Sequence, residues 1–140
     1  AQKLGEKLAA YITGARKKGT VVPHILCLYG ELGAGKTVLT QGFAKGLGLP
    51  SSLVSPTFII VRRSDLENHA DYFYHVDLYR LQKTEDIEHL GLADIFGAQD
   101  AIEVVEWAER LGRLLPASRI DVRWAGVTDD TRTITISYGR

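Results

Sequence analysis

Cysteine is nearly missing from these 140 residues: Cys27 is the single one, which excludes an internal disulfide and points to a reducing compartment. Net charge is missing too. The 17 Lys and Arg balance 17 Asp and Glu, so composition offers no broad basic surface of the kind that nonspecific nucleic-acid binding needs. A local patch is all this balance leaves open. No apolar run approaches the roughly 20 residues of a membrane-spanning helix, and a charged amphipathic segment stands where a secretory signal would be. The expectation is a cytoplasmic protein without a membrane segment. Methionine is absent and the first residue is Ala1, which leaves the start open to processing or trimming. His24, His69, His75 and His89 are scattered, with no cysteine cluster or spaced histidine pair to form a zinc site. A chain of this length buries one sizeable core, so residues 1–140 are expected to form one domain.

What the chain does have is glycine in a particular place. Gly30-Glu31-Leu32-Gly33-Ala34-Gly35-Lys36-Thr37 follows directly on Ile25-Leu26-Cys27-Leu28-Tyr29, a run that reads as a buried strand. A loop that wraps a triphosphate must turn several backbone N–H groups inward at once, and the glycines permit this. Lys36 brings a point charge for the β- and γ-phosphates, Thr37 a hydroxyl for Mg²⁺, and the following helix, which starts inside the loop, adds its partial positive N-terminus. An ordinary glycine-rich turn could carry the same eight letters; the strand before it and the helix after it argue for the phosphate loop.

The remaining periodicities supply a frame. Leu4, Leu8, Tyr11, Ile12 and Ala15 predict an amphipathic helix over residues 2–17, and residues 20–29 predict a strand with an irregular entry at Pro23. Leu39, Phe43 and Leu47 mark the buried stripe of the next helix, Gly42 leaves room for close packing, and Gly48 with Pro50 ends it. Strands are predicted at 57–63 and 72–78 with a connection over 64–71, a short helix at 84–89, a loop around 91–97, and a buried strand at 101–106. A short helix at 108–113 and a hairpin of 120–124 with 134–138 around Asp129-Asp130 complete the chain. These elements describe an α/β fold of the P-loop NTPase type. It has three layers: a mixed sheet with a parallel core and antiparallel flanking strands, and helices on both faces.

A phosphate loop needs a carboxylate at the end of a neighbouring strand, because Mg²⁺ takes oxygen ligands and keeps several waters. Asp77 and Glu106 both end predicted strands and compete for that role. Ser55-Pro56-Thr57-Phe58 lies where a nucleotide-sensing segment could approach the γ-phosphate, although a turn entering a strand reads the same way. His75, two residues before Asp77, shares its strand face. Arg80 could pair with a site carboxylate, contact a partner, or form a surface ion pair.

Taken with the glycine-rich loop, Ser55-Pro56-Thr57-Phe58, His75-Val76-Asp77-Leu78-Tyr79-Arg80-Leu81 and Val105-Glu106-Trp107 make the chain resemble one family over essentially its whole length. It is the TsaE (YjeE) family, small bacterial ATPases needed to make N6-threonylcarbamoyladenosine at position 37 of tRNA. The resemblance implies that the loop from Gly30 through Thr37 and Val38 binds ATP, that Lys36 holds phosphates, and that Thr37 and Glu106 hold Mg²⁺. It further implies that Asp77 serves hydrolysis together with Lys36 and Glu106, either by orienting water or by organising the sensing segment. Thr57 would sense the γ-phosphate, and Trp107 would lie near the nucleotide. Ala108 departs from the proline that many relatives carry after the Glu-Trp pair, which affects the local turn alone. TsaB and TsaD are the implied partners, TsaD joining the threonylcarbamoyl group to tRNA, so tRNA is met indirectly through the complex. Two other functions use the same loop: a small-molecule kinase, which needs an arginine-bearing lid and an acceptor pocket, and a nucleotide-gated binding module in which turnover is incidental.

Overall fold

The computed structural model describes residues 1–30, 35–50, 60–66, 71–126 and 133–139. Helix α1 (Gln2–Lys17) precedes strand β1 (Ile25–Tyr29), and helix α2 (Lys36–Gly46) follows it. Strands β2 (Val61–Leu66) and β3 (Asp71–Asp77) lead to two short helices, α3 (Thr84–Glu88) and α4 (Leu92–Gly97). After these come β4 (Ala101–Glu106), two single 3₁₀ turns (Ala108–Arg110 and Gly112–Leu114), β5 (Ile120–Ala125) and β6 (Thr133–Tyr138).

The six strands form one sheet in the order β2-β3-β4-β1-β5-β6. Strands β3, β4, β1 and β5 run parallel, while β2 and β6 pair antiparallel at the two edges. Every residue of β4 is buried, as expected of a strand covered on both faces. One core lies between the sheet and helices α1 and α2, where Ile12, Leu39 and Phe43 meet Leu26, Leu28, Ile102 and Val104. The second lies on the opposite face, where Ile87 and Leu92 meet Cys27, Val76 and Val105. Helices on both faces of a mixed sheet with a parallel core make the three-layer arrangement expected of a P-loop fold. Among the described residues no helix is long and apolar enough to cross a membrane.

The two long helices approach closely because glycines line their contact. A Cβ added at Gly42 would sit 2.0 Å from the Gln2 carbonyl oxygen, and one at Gly5 would sit 2.1 Å from that of Leu39.

Several boundaries differ from the sequence reading. Strand β1 starts at Ile25, not at residue 20, because Pro23 has no N–H for the ladder. Strand β2 continues to Leu66, three residues beyond the predicted end, because its partner β3 supports it through Leu66↔Asp71. Residues 92–97 are helical where a loop was expected: Gly91 takes a left-handed conformation with φ of 71°, and Leu92 and Phe96, four residues apart, bury the same side. The helix expected over 108–113 is two 3₁₀ turns instead, since Trp107 and Gly112 both adopt positive φ and interrupt α-helical pairing. Residues 57–59 of the first middle strand and the Asp129-Asp130 turn lie outside the described residues.

Candidate active site at the strand ends

Parallel pairing brings three strand ends side by side. Glu106 is the register partner of Leu28 on one side and of Asp77 on the other, so both candidate carboxylates stand at the carboxyl edge, the side on which ligands bind in such sheets. Gly35 precedes α2 with a left-handed φ of 105°, a turn that only glycine makes without strain. Lys36 and Thr37 therefore open α2 with its unpaired N–H groups beside the strand ends.

Lys36 is buried. Its Nζ donates to the Gly30 carbonyl oxygen and lies 3.5 Å from the centroid of the Trp107 ring. Burial lowers the Lys36 pKa, and the charges of Glu109, Glu106 and Asp77 oppose that shift. A cation held near several carboxylates and an aromatic face is poised to exchange those contacts for an anionic ligand.

The two carboxylates are engaged differently. Glu106 Oε1 accepts a hydrogen bond from Thr37 Oγ1 at 3.2 Å, while its Oε2 lies 2.6 Å from His75 Nε2. Asp77 Oδ1 accepts from the Tyr79 N–H at 3.1 Å, and burial raises its pKa. Thr37 and Glu106 could thus hold a hard divalent cation with two oxygens. A hydroxyl and a single carboxylate leave most of a cation's shell to water and phosphate, an arrangement that Mg²⁺ accepts. His75 would fix the carboxylate from behind. It shares a strand face with Asp77 as expected, but its hydrogen bond goes to Glu106.

Trp107 is the only non-glycine residue with positive φ among the described residues, at 62°, an outlier of the kind that tertiary contacts must support. Its ring stacks on Tyr79 at 5.3 Å between centroids, and the Arg110 guanidinium lies 4.8 Å from its centroid. Three neighbours had no role in the sequence reading: Glu109, whose Oε2 accepts from the Gly30 N–H at 3.3 Å, Arg110, and Tyr79, which stood there only as part of a motif. Glu109 and Arg110 follow Trp107 by two and three residues, a spacing that signals nothing until the 3₁₀ turn is known. Val38 sits one residue past Thr37 and is partly exposed. Glu31, Leu32, Gly33, Ala34 and Thr57 lie outside the described residues.

Cys27, in the core, and His24, beside Glu103, make their contacts outside the site. Cys27 is buried and its thiol is pushed up to about 12, first by burial and then by Asp121, which disfavours the thiolate. His24 lies with Nδ1 2.7 Å from Glu103 Oε2, near the opposite end of β4 from the site.

The family model described as threonylcarbamoyl adenosine biosynthesis protein TsaE matches residues 1–134. Among curated proteins, the tRNA threonylcarbamoyladenosine biosynthesis protein TsaE of Bacillus subtilis is 39% identical over 81% of this chain and 68% of its own length. That of Haemophilus influenzae is 34% identical over 96% of this chain and 80% of its own. The crystal structure of YdiB from Bacillus subtilis superposes with a TM-score of 0.72 at 31% identity, covering 99% of this chain and 78% of the other. Sequence motifs, strand order and these matches agree over nearly the whole length, and the chain belongs to the TsaE family.

Proposed function

We propose that the chain is a Mg²⁺-dependent ATP hydrolase of the cytoplasm. It would act with TsaB and TsaD to drive or reset the assembly that makes N6-threonylcarbamoyladenosine at position 37 of tRNA. The relatives carry that biosynthetic pathway in their names. The observation that carries the catalytic half is the line Thr37–Glu106–His75 beside buried Lys36, which gathers a hydroxyl, a carboxylate and a cation at one helix N-terminus. The loop from Gly30 to Thr37 would cradle the phosphates, with Lys36 leaving the Gly30 carbonyl to neutralise them. Thr37 and Glu106 would hold Mg²⁺, which supplies charge compensation on the phosphate oxygens.

Within this reading each side chain has a physical task. His75 holds Oε2 of Glu106, so that Oε1 keeps its direction toward Thr37. The Tyr79 N–H holds Oδ1 of Asp77, which positions a carboxylate one strand away, where it can orient an attacking water or organise the segment containing Thr57. Trp107 shields the Lys36 ammonium from solvent on one side, and the exclusion of water strengthens every charge interaction there.

The test is hydrolysis and tRNA modification measured together, with TsaB and TsaD present. Lys36→Ala should lower both by about 10²-fold or more, the scale for loss of a positioned charge donor. If both activities of Lys36→Ala matched the wild type, the proposal would fail. If Glu106→Ala or Asp77→Ala abolished hydrolysis and left modification intact, nucleotide gating would replace it. Phosphate transfer to a metabolite faster than to water would make the chain a kinase.

A further inference from the structure

Arg110 ties together the two strand ends that carry the carboxylates. Its Nη1 donates to the Leu78 carbonyl oxygen at 3.0 Å and also to that of Tyr79, the two residues directly after Asp77. Its own backbone N–H donates to the Trp107 carbonyl at 3.0 Å, the residue directly after Glu106. The guanidinium plane lies over Trp107 at 4.8 Å and near Tyr79 at 5.9 Å. The ladder between β3 and β4 ends at Asp77↔Glu106, with one further bond from Leu78 N–H to the Glu106 carbonyl at 3.2 Å. Beyond that point Arg110 and the contact between the Tyr79 and Trp107 rings connect the two chain ends.

We infer that Arg110 is a positioning residue for the hydrolysis proposed above, clamping the Asp77 and Glu106 strand ends together and holding Trp107 over Lys36. The inference rests on that reading. A charged donor on two adjacent carbonyls makes stronger bonds than a neutral one, and the same cation on the indole face supports a backbone conformation that Trp107 would otherwise leave. Arg110 touches neither carboxylate directly. Its loss should therefore spare nucleotide binding at the loop and slow turnover, since a displacement of about 1 Å in reacting groups can cost about 10²-fold.

The experiment compares wild type, Lys36→Ala, Arg110→Ala and Arg110→Lys, with TsaB and TsaD present, in steady-state ATP hydrolysis. A parallel set in a Trp124→Phe background leaves Trp107 as the single tryptophan and reads its fluorescence. For Arg110→Ala we expect kcat to fall about 10- to 100-fold with KM within about threefold, and Trp107 emission to shift. Arg110→Lys should recover part of the rate, because an ammonium can donate to a carbonyl but cannot stack as a planar group. Wild-type kcat in Arg110→Ala would overturn the clamp, and so would a KM that rises as far as kcat falls, which would mark a direct phosphate contact. If wild type and Lys36→Ala hydrolyse equally poorly, the ATPase reading has failed instead, and the emission of Trp107 still decides the clamp: an unchanged spectrum in Arg110→Ala overturns it.

Discussion

Gly5→Ala and Gly14→Ala place the same methyl on the same helix and should move stability in opposite directions. Both remove a glycine from α1, and each therefore gains about 1 kcal/mol of helix propensity. Around Gly14 a Cβ would meet nothing within 4 Å, so that gain is kept. At Gly5 it would meet the Leu39 carbonyl oxygen at 2.1 Å and the Phe43 nitrogen at 2.6 Å. Real Cβ atoms stay beyond 3.0 Å, so the helices must separate by about 0.9 Å at the crossing. Both obstacles are main-chain atoms of α2, which the sheet holds from behind, and no side chain can swing aside. A gap approaching 1 Å forfeits a quarter to a half of each dispersion contact along a seam where Ala9, Ile12, Leu39 and Phe43 are fully buried. Overpacking of this kind costs about 1–3 kcal/mol, sometimes more. Net of propensity, Gly5→Ala should lose up to about 2 kcal/mol and Gly14→Ala should gain up to about 1 kcal/mol. Urea unfolding followed by circular dichroism measures both. A Gly5→Ala protein as stable as Gly14→Ala would refute the packing argument.

Glu103 is fully buried with Oε1 lacking any hydrogen-bond partner. Burial pushes its carboxyl from 4.5 up to about 7, against the pull of His24 and Arg16, while Asp100 adds to the rise. Because the folded pKa lies above the unfolded one, the native state binds the proton more tightly. Stability from this group is complete below about pH 4.5 and is lost as pH rises through about 7, with an upper limit of about 3 kcal/mol. Denaturation curves from pH 5 to 8 should fall less steeply for Glu103→Gln than for wild type, and equal slopes would count against this assignment. His75→Ala removes the 2.6 Å contact behind Glu106 and should raise the Mg²⁺ concentration for half-maximal hydrolysis about tenfold. An unchanged Mg²⁺ requirement would show that Glu106 needs no support from His75.

Much of the site was readable along the chain because its chemistry is local. Eight consecutive residues after an apolar pentamer specify loop, lysine and hydroxyl together, and the strand-end carboxylates follow from the predicted strands that Asp77 and Glu106 close. Gly42 was recognisable as a packing glycine from its place on a helical stripe. Gly5 was not, since its reason lies in the α2 backbone that it faces. The 3₁₀ turns and α4 escaped for a related cause: left-handed residues at Gly91, Trp107 and Gly112 reset the chain direction, and no periodicity announces them.

By itself the sequence determined which functional groups exist and the order in which strands, helices and loop carry them, because propensity and hydrophobic period act over a few residues. Tertiary structure alone decided how they pair. The parallel register sets Glu106 between Leu28 and Asp77, and with that neighbour relation Glu106 meets Thr37 and His75 while Asp77 meets the Tyr79 N–H. Register is a relation between segments some 30 to 80 residues apart, set by the burial of whole faces against α1, α2 and the short helices. No local spacing carries it, and two carboxylates that compete in the residue pattern gain different partners only when the sheet brings these segments together.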